Sequence, residues 1–542
     1  MMEKSLLNRL SMADLDEIFD LQNLEPVTML TRGRAGIKNN FNVLADKEIL
    51  CEILKDMLSP EDLMKSQTRR KFFSVLSKDQ KNHLAKGTGI NPDRLFEEIG
   101  WGNNQQTALF LEVVGLPSSL IPNPQTNYQP TENVSVFTPR FKQLKDYQSK
   151  VIFKVLDVLD SPRARVMICM PTGSGKTRTA MEIVCNQLNK NDRKSVLWLV
   201  DSQELMLQAA ECFKQIWSHL GARDINIQMF GYGFGQEPDV TTGSFIIASM
   251  QTLVRKLNVC KDMASNIGLI AFDEAHHAIA TSYKNVVEIL TPVTEETRVL
   301  GLSATPVRKD ADEDRELCSM FHNNIMEIEA GADQLSTLES LIRKQILARP
   351  IWKALDYDTS GLTFSPQQIK AAAKKVDIAP AVLEKIANDY NRNRCLVDCL
   401  AELARKEIQT IFFSATVKQS FVLSSALKCL GIKADHIDSN SKSMHRTNVI
   451  RAFKEKRVQI LCNYGVLTTG FDDPNIGAVV IGRPTFSEVL LSQMIGRGLR
   501  GPELGGSPIC YIYLPEDNFE FTKKVVQIKD YFTNSWNKNR EI

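Results

Sequence analysis

The sequence predicts an α/β protein. Two tandem domains, each built on a parallel sheet, follow a small all-α N-terminal domain. Three observations predict this. Met170-Pro171-Thr172-Gly173-Ser174-Gly175-Lys176-Thr177 lies between the apolar run Val166-Met167-Ile168-Cys169 and the helical pattern Ala180-Met181-Glu182-Ile183-Val184. Strand, glycine loop and helix in that order are the setting of a phosphate-binding loop. Further apolar runs at 196–200, 245–248, 269–272 and 299–302 each end in small or polar residues. A second series at 409–413, 458–462, 478–481 and 510–514 repeats the alternation without a glycine loop. Strands alternating with helical stretches point to parallel sheets with crossover helices.

At 542 residues the chain is long enough for roughly three to four domains. A hydrophobic fraction of 43% supplies several cores. The net charge of +2, from 66 basic and 64 acidic residues, neither favours nor opposes nucleic acid. A neutral enzyme can hold a phosphate backbone in a local cleft. The 11 cysteines include no C-x-x-C pair. Cys395 and Cys399 lack the second pair a metal site needs. Reduced, buried thiols place the chain in the cytoplasm, or in the nucleus if it is eukaryotic. Met1-Met2-Glu3-Lys4-Ser5 has no apolar signal core, and no run of 18 apolar residues occurs. No membrane span is expected.

Residues 1–115 read as a helical domain. Ser59-Pro60-Glu61-Asp62 combines a capping serine, a first-turn proline and acids at the positive helix end. Ser77-Lys78-Asp79-Gln80 has the form of a capping box. Such short helices must pack together to persist. Arg69, Arg70, Lys71, Lys78, Lys81 and Lys86 make the region locally basic. Two readings stand: a solvated helical face, or a module that docks DNA or a protein partner. No E-x-K step occurs in residues 1–138, which argues against a fused restriction-type nuclease core. Residues 116–139, with Pro117, Pro122, Pro124, Pro130 and Pro139, read as an extended linker.

The first α/β domain spans 140–308. Gln148 carries amide donors and an acceptor, a set that can pair with the N6 and N7 edge of adenine. Glycines let backbone N–H groups turn onto phosphate oxygens, and the helix N-terminus adds positive field. Lys176 is placed to reach the β- and γ-phosphates and Thr177 to bind Mg²⁺. Met170 stands where the full loop pattern has glycine. Asp273 and Glu274 end a strand downstream of this loop, where one carboxylate can hold Mg²⁺ and the next can activate water. Residues 309–405 read as a helical connection, 406–515 as the second α/β domain, and 516–542 as a C-terminal helical extension. Arg497 and Arg500 lie three apart, on one face if the segment is helical, and, aimed across a cleft, would act as arginine fingers.

In order, Gln148; Pro171, Thr172, Gly173, Ser174, Gly175, Lys176 and Thr177; Asp273-Glu274-Ala275-His276; Ser303-Ala304-Thr305; Thr468-Thr469-Gly470-Phe471-Asp472; and Gln493-Met494-Ile495-Gly496-Arg497-Gly498-Leu499-Arg500 resemble the motifs of superfamily 2 DEAD/DEAH-box helicases. The resemblance covers about residues 140–515. It is nearest the XPB, RadD and restriction-translocase branch, which acts mostly on DNA. The RNA-directed DEAD-box branch carries Asp where His276 stands.

The resemblance implies two RecA-like P-loop domains with ATP between them. It implies that Lys176 and Thr177 bind phosphate and Mg²⁺, that Asp273 holds the metal and that Glu274 positions water. Gln493, Arg497 and Arg500 would complete the site on closure, with Gly470 and Asp472 near nucleotide and strand. His276 and Ser303–Thr305 would couple hydrolysis to closure. Strand contacts would come from around Ser202–Gln203, Ser249–Thr252 and Ser414–Thr416, through sequence-blind phosphate contacts. The expected activity is an ATP-driven helicase or translocase, on DNA more than RNA. Two alternatives share the same core: an ATP-switched nucleic-acid clamp or scaffold, and the motor subunit of a repair, restriction or defence complex whose nuclease is on another chain.

Overall fold

The structure is a computed structural model. It describes residues 6–34, 41–58, 60–102, 104–116, 120–121, 130–136, 143–275, 280–304, 311–329, 337–365, 378–438, 441, 443–467, 471, 473–485 and 487–517. The first sheet comprises β1 (Thr131–Val134), β2 (Arg165–Cys169), β3 (Ser195–Val200), β4 (Ile225–Phe230), β5 (Phe245–Ser249), β6 (Ile267–Phe272), β7 (Arg298–Ser303) and β8 (Ile325–Glu327). Their order is β1-β4-β5-β3-β6-β7-β2-β8. Every pairing is parallel except β1 with β4. Strands β3 and β5 are buried at every residue, because helices cover both faces. That two-sided burial is why these segments read as continuous apolar runs.

The second sheet comprises β9 (Arg349–Leu355), β10 (Thr410–Phe413), β11 (Ala434–Asp438), β12 (Ile460–Tyr464), β13 (Ala478–Ile481) and β14 (Ile509–Pro515). It is all parallel, in the order β11-β12-β10-β13-β14-β9. The two sheets are the two tandem α/β domains that the sequence predicts.

Two boundaries need correcting. Residues 309–405 are not a purely helical connection: β8 joins the first sheet and β9 the second. The strand β9 escapes a sequence reading because it is an edge, with Arg349 and Lys353 exposed and Pro350 inside it. Residues 116–139 are not only linker, since Thr131–Val134 pairs antiparallel with β4.

The helical N-terminal region forms as expected. Ser11 and Ser77 each open a helix with a reciprocal capping box, and Gly89, in the left-handed region at φ 75°, closes the second. Ser59 lies outside the described residues. The region does not have a core of its own. Leu24, Val27, Leu50, Phe72 and Phe110 belong to one buried cluster with Phe412, Ile460, Cys462 and Val480 of the second sheet. Helix Val417–Cys429 lies between them and is buried along most of its length, Ser420, Ser424 and Ser425 included. Arg34 adds an ion pair to Asp398 and donates to the Arg394 carbonyl at 3.1 Å. The N-terminal helices are thus a layer of the second domain, although the first domain follows them in sequence.

A buried clasp closes the second domain. Arg392, with no exposed side-chain surface, donates from Nε to Asp517 Oδ1 at 2.8 Å and from Nη2 to Oδ2 at 3.0 Å, and Tyr357 Oη donates to Asp517 at 2.6 Å. Removing one member of a buried pair strands the other charge. Asp517→Ala should therefore lower unfolding stability by about 3–5 kcal/mol, measured by chemical denaturation, and Tyr357→Phe by less.

Candidate active site in the interdomain cleft

Parallel strands bring their C-terminal ends to one edge, and the residues that follow face one crevice. Cys169 pairs with Ser303, and Leu199 with Phe272, so the phosphate loop, the Asp273-Glu274 turn and Ser303 emerge side by side. Met170 is fully buried and donates its N–H to the Ser303 carbonyl at 3.1 Å. Its backbone is not left-handed, so this position needs no glycine. Gly173 and Gly175 do need to be glycine: both have φ 87°, and a Cβ on Gly175 would lie 2.6 Å from Gln148 Nε2.

The loop is braced from beneath. Ser174 Oγ donates to the Pro171 carbonyl at 2.7 Å, and Tyr147 Oη donates to the Ser174 carbonyl at 2.6 Å. Gln148 is buried behind the loop. Its Nε2 reaches Gly175 O at 3.4 Å and Thr179 Oγ1 at 3.3 Å, while Oε1 accepts from the Lys145 N–H at 3.0 Å. In this state the amide holds the loop and does not present itself to an adenine.

One cavity of about 570 Å³ lies between the domains. From the first domain Thr172, Gly173, Gly175, Lys176, Thr177, Asp273 and Glu274 line it; from the second, Gly496, Arg497 and Arg500. Pro171 and Ser174 shape the loop without lining the cavity. Lys176 Nζ lies 3.8 Å from Glu274 Oε1, an ion pair too long for a hydrogen bond. Arg497 donates from Nη1 to the Phe471 carbonyl. Glu274 sits at φ 57°, a left-handed conformation that bulky residues adopt only when held there. Its N–H donates to Asp273 Oδ1 at 3.1 Å. Burial pushes the Asp273 carboxyl up to about 6, against the pull of Lys176.

Gln493 is buried on helix Glu488–Gly496 and does not line the cavity. Gly470, Asp472, His276 and Thr305 lie outside the described residues. Ser202, Ser249 and Thr416 each cap a helix, accepting from the N–H of Leu205, Thr252 and Gln419. Gln203 lines the interdomain cavity.

A third element of the cleft went unread in the sequence. Helix Ser443–Lys454 presents Arg446, Ile450 and Lys454 to the cavity. Their spacing of four along an otherwise ordinary helix was the available signal. Arg446 Nη2 donates to the carbonyls of Asp438 at 3.0 Å and Ser441 at 3.2 Å. Among the described residues no disulfide joins any of the 11 cysteines, and burial pushes up the thiols that shift, to about 12 for Cys212. Among the described residues no His, Cys, Asp and Glu cluster of metal-binding form occurs, and no helix is long and apolar enough to cross a membrane.

The raised carboxyl carries a stability signature. A carboxyl that ionises in the unfolded chain near 3.8 but in the folded chain near 6 makes folding less favourable above about pH 4 and fully so above about pH 6. Without nucleotide or Mg²⁺, Asp273→Asn should therefore melt higher than the parent at pH 8. That advantage should vanish near pH 4, as calorimetric scans across pH will show.

Comparison with known proteins agrees with this layout. Residues 141–308 match the family described as Type III restriction enzyme, res subunit, and residues 391–501 match the Helicase conserved C-terminal domain. The chain is 31% identical over 368 residues to the putative ATP-dependent helicase IRC3 of Saccharomyces cerevisiae, covering 66% of this chain and 49% of that protein. It is 27% identical to the putative mitochondrial ATP-dependent helicase irc3 of Schizosaccharomyces pombe, covering 69% of this chain and 58% of that protein. The chain thus spans about half the length of these relatives. In fold it is similar to the ATP-dependent Type ISP restriction-modification enzyme LlaBIII bound to DNA, with TM-score 0.52, 16% identity and coverage of 73% of this chain and 30% of that one. With the two matched domains in order around one cleft, the chain belongs to the superfamily 2 helicases, in their restriction-translocase branch.

Proposed function

We propose that this chain is an ATP-driven helicase or translocase that hydrolyses ATP in the interdomain cleft and moves along nucleic acid, DNA in preference to RNA. One observation carries the reading: Lys176, Asp273 and Glu274 from one domain share a single cavity with Arg497 and Arg500 from the other. The glycine cradle suits a triphosphate, and the Asp273 carboxyl, which lines the cavity, suits a divalent cation. Lys176 would hold the β- and γ-phosphates. Thr177 and Asp273 would hold Mg²⁺, which when bound neutralises phosphate charge. Glu274 would orient the attacking water and accept its proton. Arg497 and Arg500 would stabilise charge on the phosphoryl oxygens as the bond to the leaving diphosphate breaks. Gln493 would set the helix Glu488–Gly496, which ends just before Arg497 and leads on to Arg500. Gly470 and Asp472 would lie near nucleotide and strand.

The strand would cross the edge marked by Ser202–Gln203, Ser249–Thr252 and Ser414–Thr416. Helix N-termini there offer N–H groups to phosphates without reading sequence. The preference for DNA rests on the match of the first domain to a restriction-enzyme family. That match also supports the second reading, a motor whose nuclease is on another chain. The N-terminal helices are the proposed partner-docking layer. Buried reduced thiols suit the cytoplasm or nucleus, and equally a mitochondrial compartment such as the Schizosaccharomyces pombe relative's name gives for that protein.

Lys176→Ala should weaken ATP binding and, like Glu274→Gln, cut turnover by at least about a hundredfold, whereas Glu274→Gln should keep binding. Arg500→Ala should keep most ATP affinity and lose about a thousandfold or more in turnover. Near-normal turnover in any of the three refutes the assignment. ATPase rates with single-stranded DNA, duplex DNA and RNA in parallel should rise most with DNA. Strand displacement then separates a motor from a clamp: stimulated hydrolysis without unwinding or translocation favours the clamp.

A further inference from the structure

A tyrosine–carboxylate contact ties the proposed strand-facing edge to the catalytic turn. Tyr283 Oη donates to Asp201 Oδ1 at 2.9 Å. Asp201 follows β3 directly and precedes Ser202, whose Oγ accepts from the Leu205 N–H at 3.2 Å to cap helix Gln203–Leu220. That helix runs along the cavity with Gln203, Gln208, Glu211 and Gln215 lining it. Tyr283 sits in the first turn of helix Thr281–Leu290, which follows the Asp273-Glu274 turn in the chain. One hydrogen bond therefore joins the element that borders the nucleotide to the element downstream of the catalytic carboxylates.

A second tyrosine backs this joint from the strand side. Strand β4 ends in a tight turn, closed by Gly231 N–H to Phe234 O at 2.9 Å and Phe234 N–H to Gly231 O at 3.0 Å. Tyr232 in that turn has φ 50°, a region that aromatic residues occupy only when the surroundings hold them. Its hydroxyl is buried beside Ser249, and the Asp201 carboxylate acts on it electrostatically. Gly231 lets the turn close on the Ser249 cap: a Cβ there would lie 2.5 Å from Ser249 Cβ and 2.7 Å from Thr252 Oγ1. The phenols of both tyrosines are pushed up, first by burial and then, for Tyr283, by Asp201. Both therefore remain hydrogen-bond donors at any working pH.

We infer that the Tyr283–Asp201 hydrogen bond, backed by Tyr232, makes ATP hydrolysis respond to strand binding: a strand seated at Ser249–Thr252 moves the Asp273-Glu274 turn through it. Tyr283 and Asp201 are positioning residues, remote from the phosphates. This rests on the motor reading above. A hydrogen bond holds only within a narrow range of length and angle, so a shift at the edge is passed on through it or weakens it.

The test is steady-state ATPase of the full chain, with and without saturating single-stranded DNA, for the parent, Tyr283→Phe and Asp201→Asn. Tyr283→Phe keeps the ring and loses the donor. Its basal rate should stay within about twofold, while the DNA-stimulated rate should fall by about fivefold, the worth of one such bond. Half-saturating DNA should move little, splitting rate from affinity. Asp201→Asn keeps an acceptor for Tyr283 and should retain most stimulation. Equal stimulation in Tyr283→Phe and the parent overturns this inference alone. A parallel loss of basal and stimulated rates also overturns it, because it marks a structural role. A parent that no DNA or RNA stimulates overturns the motor reading and this inference with it.

Discussion

Close approach between the phosphate loop and the second domain governs the arrangement. Thr172 and Gly173 press against the turn that ends helix Glu488–Gly496. A Cβ on Gly173 would lie 3.3 Å from Leu347 Cδ2 and 3.6 Å from the Gly496 carbonyl, and a Cβ on Gly496 would overlap the Thr172 side chain. The missing side chain at Gly496 is what lets the phosphate loop come this close, with Arg497 and Arg500 sharing a cavity with Lys176. Lys145 and Glu503 add an ion pair across the same boundary. Exposed pairs of that kind contribute little stability, so shape sets the contact more than charge. The Asp273 carboxyl shows the electrostatic setting of the cleft: desolvation raises it, and Lys176 first and then Arg497 pull it back down.

The second domain is more than the receiver of this contact. Its sheet is covered on one face by the core it shares with the first domain and on the other by helix Val417–Cys429 and the N-terminal helices. The Arg392–Asp517 clasp and the shared cluster make the N-terminal layer and the second sheet one mechanical body. The strand β1, which follows that layer in the chain, pairs with the far edge of the first sheet. The chain therefore touches both bodies before the phosphate loop begins.

Much of this was legible in the sequence because both sheets are covered on two faces. Burial on both sides turns β2, β3 and β5 into apolar runs that need no alignment to be seen. The site residues at the strand ends followed from the same topology, and Lys176, Asp273, Glu274, Arg497 and Arg500 share the expected cleft. What was not legible, the interior strand β4 apart, lay at edges and interfaces. Strands β1, β8 and β9 sit at sheet edges, where one partner suffices and polar residues are tolerated. The strand β11, Ala434-Asp435-His436-Ile437-Asp438, is too polar to announce itself. Which domain the N-terminal helices would cover depends on the complementarity of surfaces distant in sequence, and no local pattern carries that. Gln148 shows the same limit: its position was readable, but its service to the loop depends on Gly175 and Thr179 around it.

The central claim is that closure, and not nucleotide capture by the loop, decides hydrolysis. Gly496→Ala tests it most directly, because it adds one methyl at the contact and removes no chemical group. Alanine also suits the helix end it would occupy. ATP affinity and turnover should be measured on the same preparation. The account predicts near-parental ATP binding with turnover reduced by at least about tenfold. Parental turnover in a folded Gly496→Ala protein would contradict it.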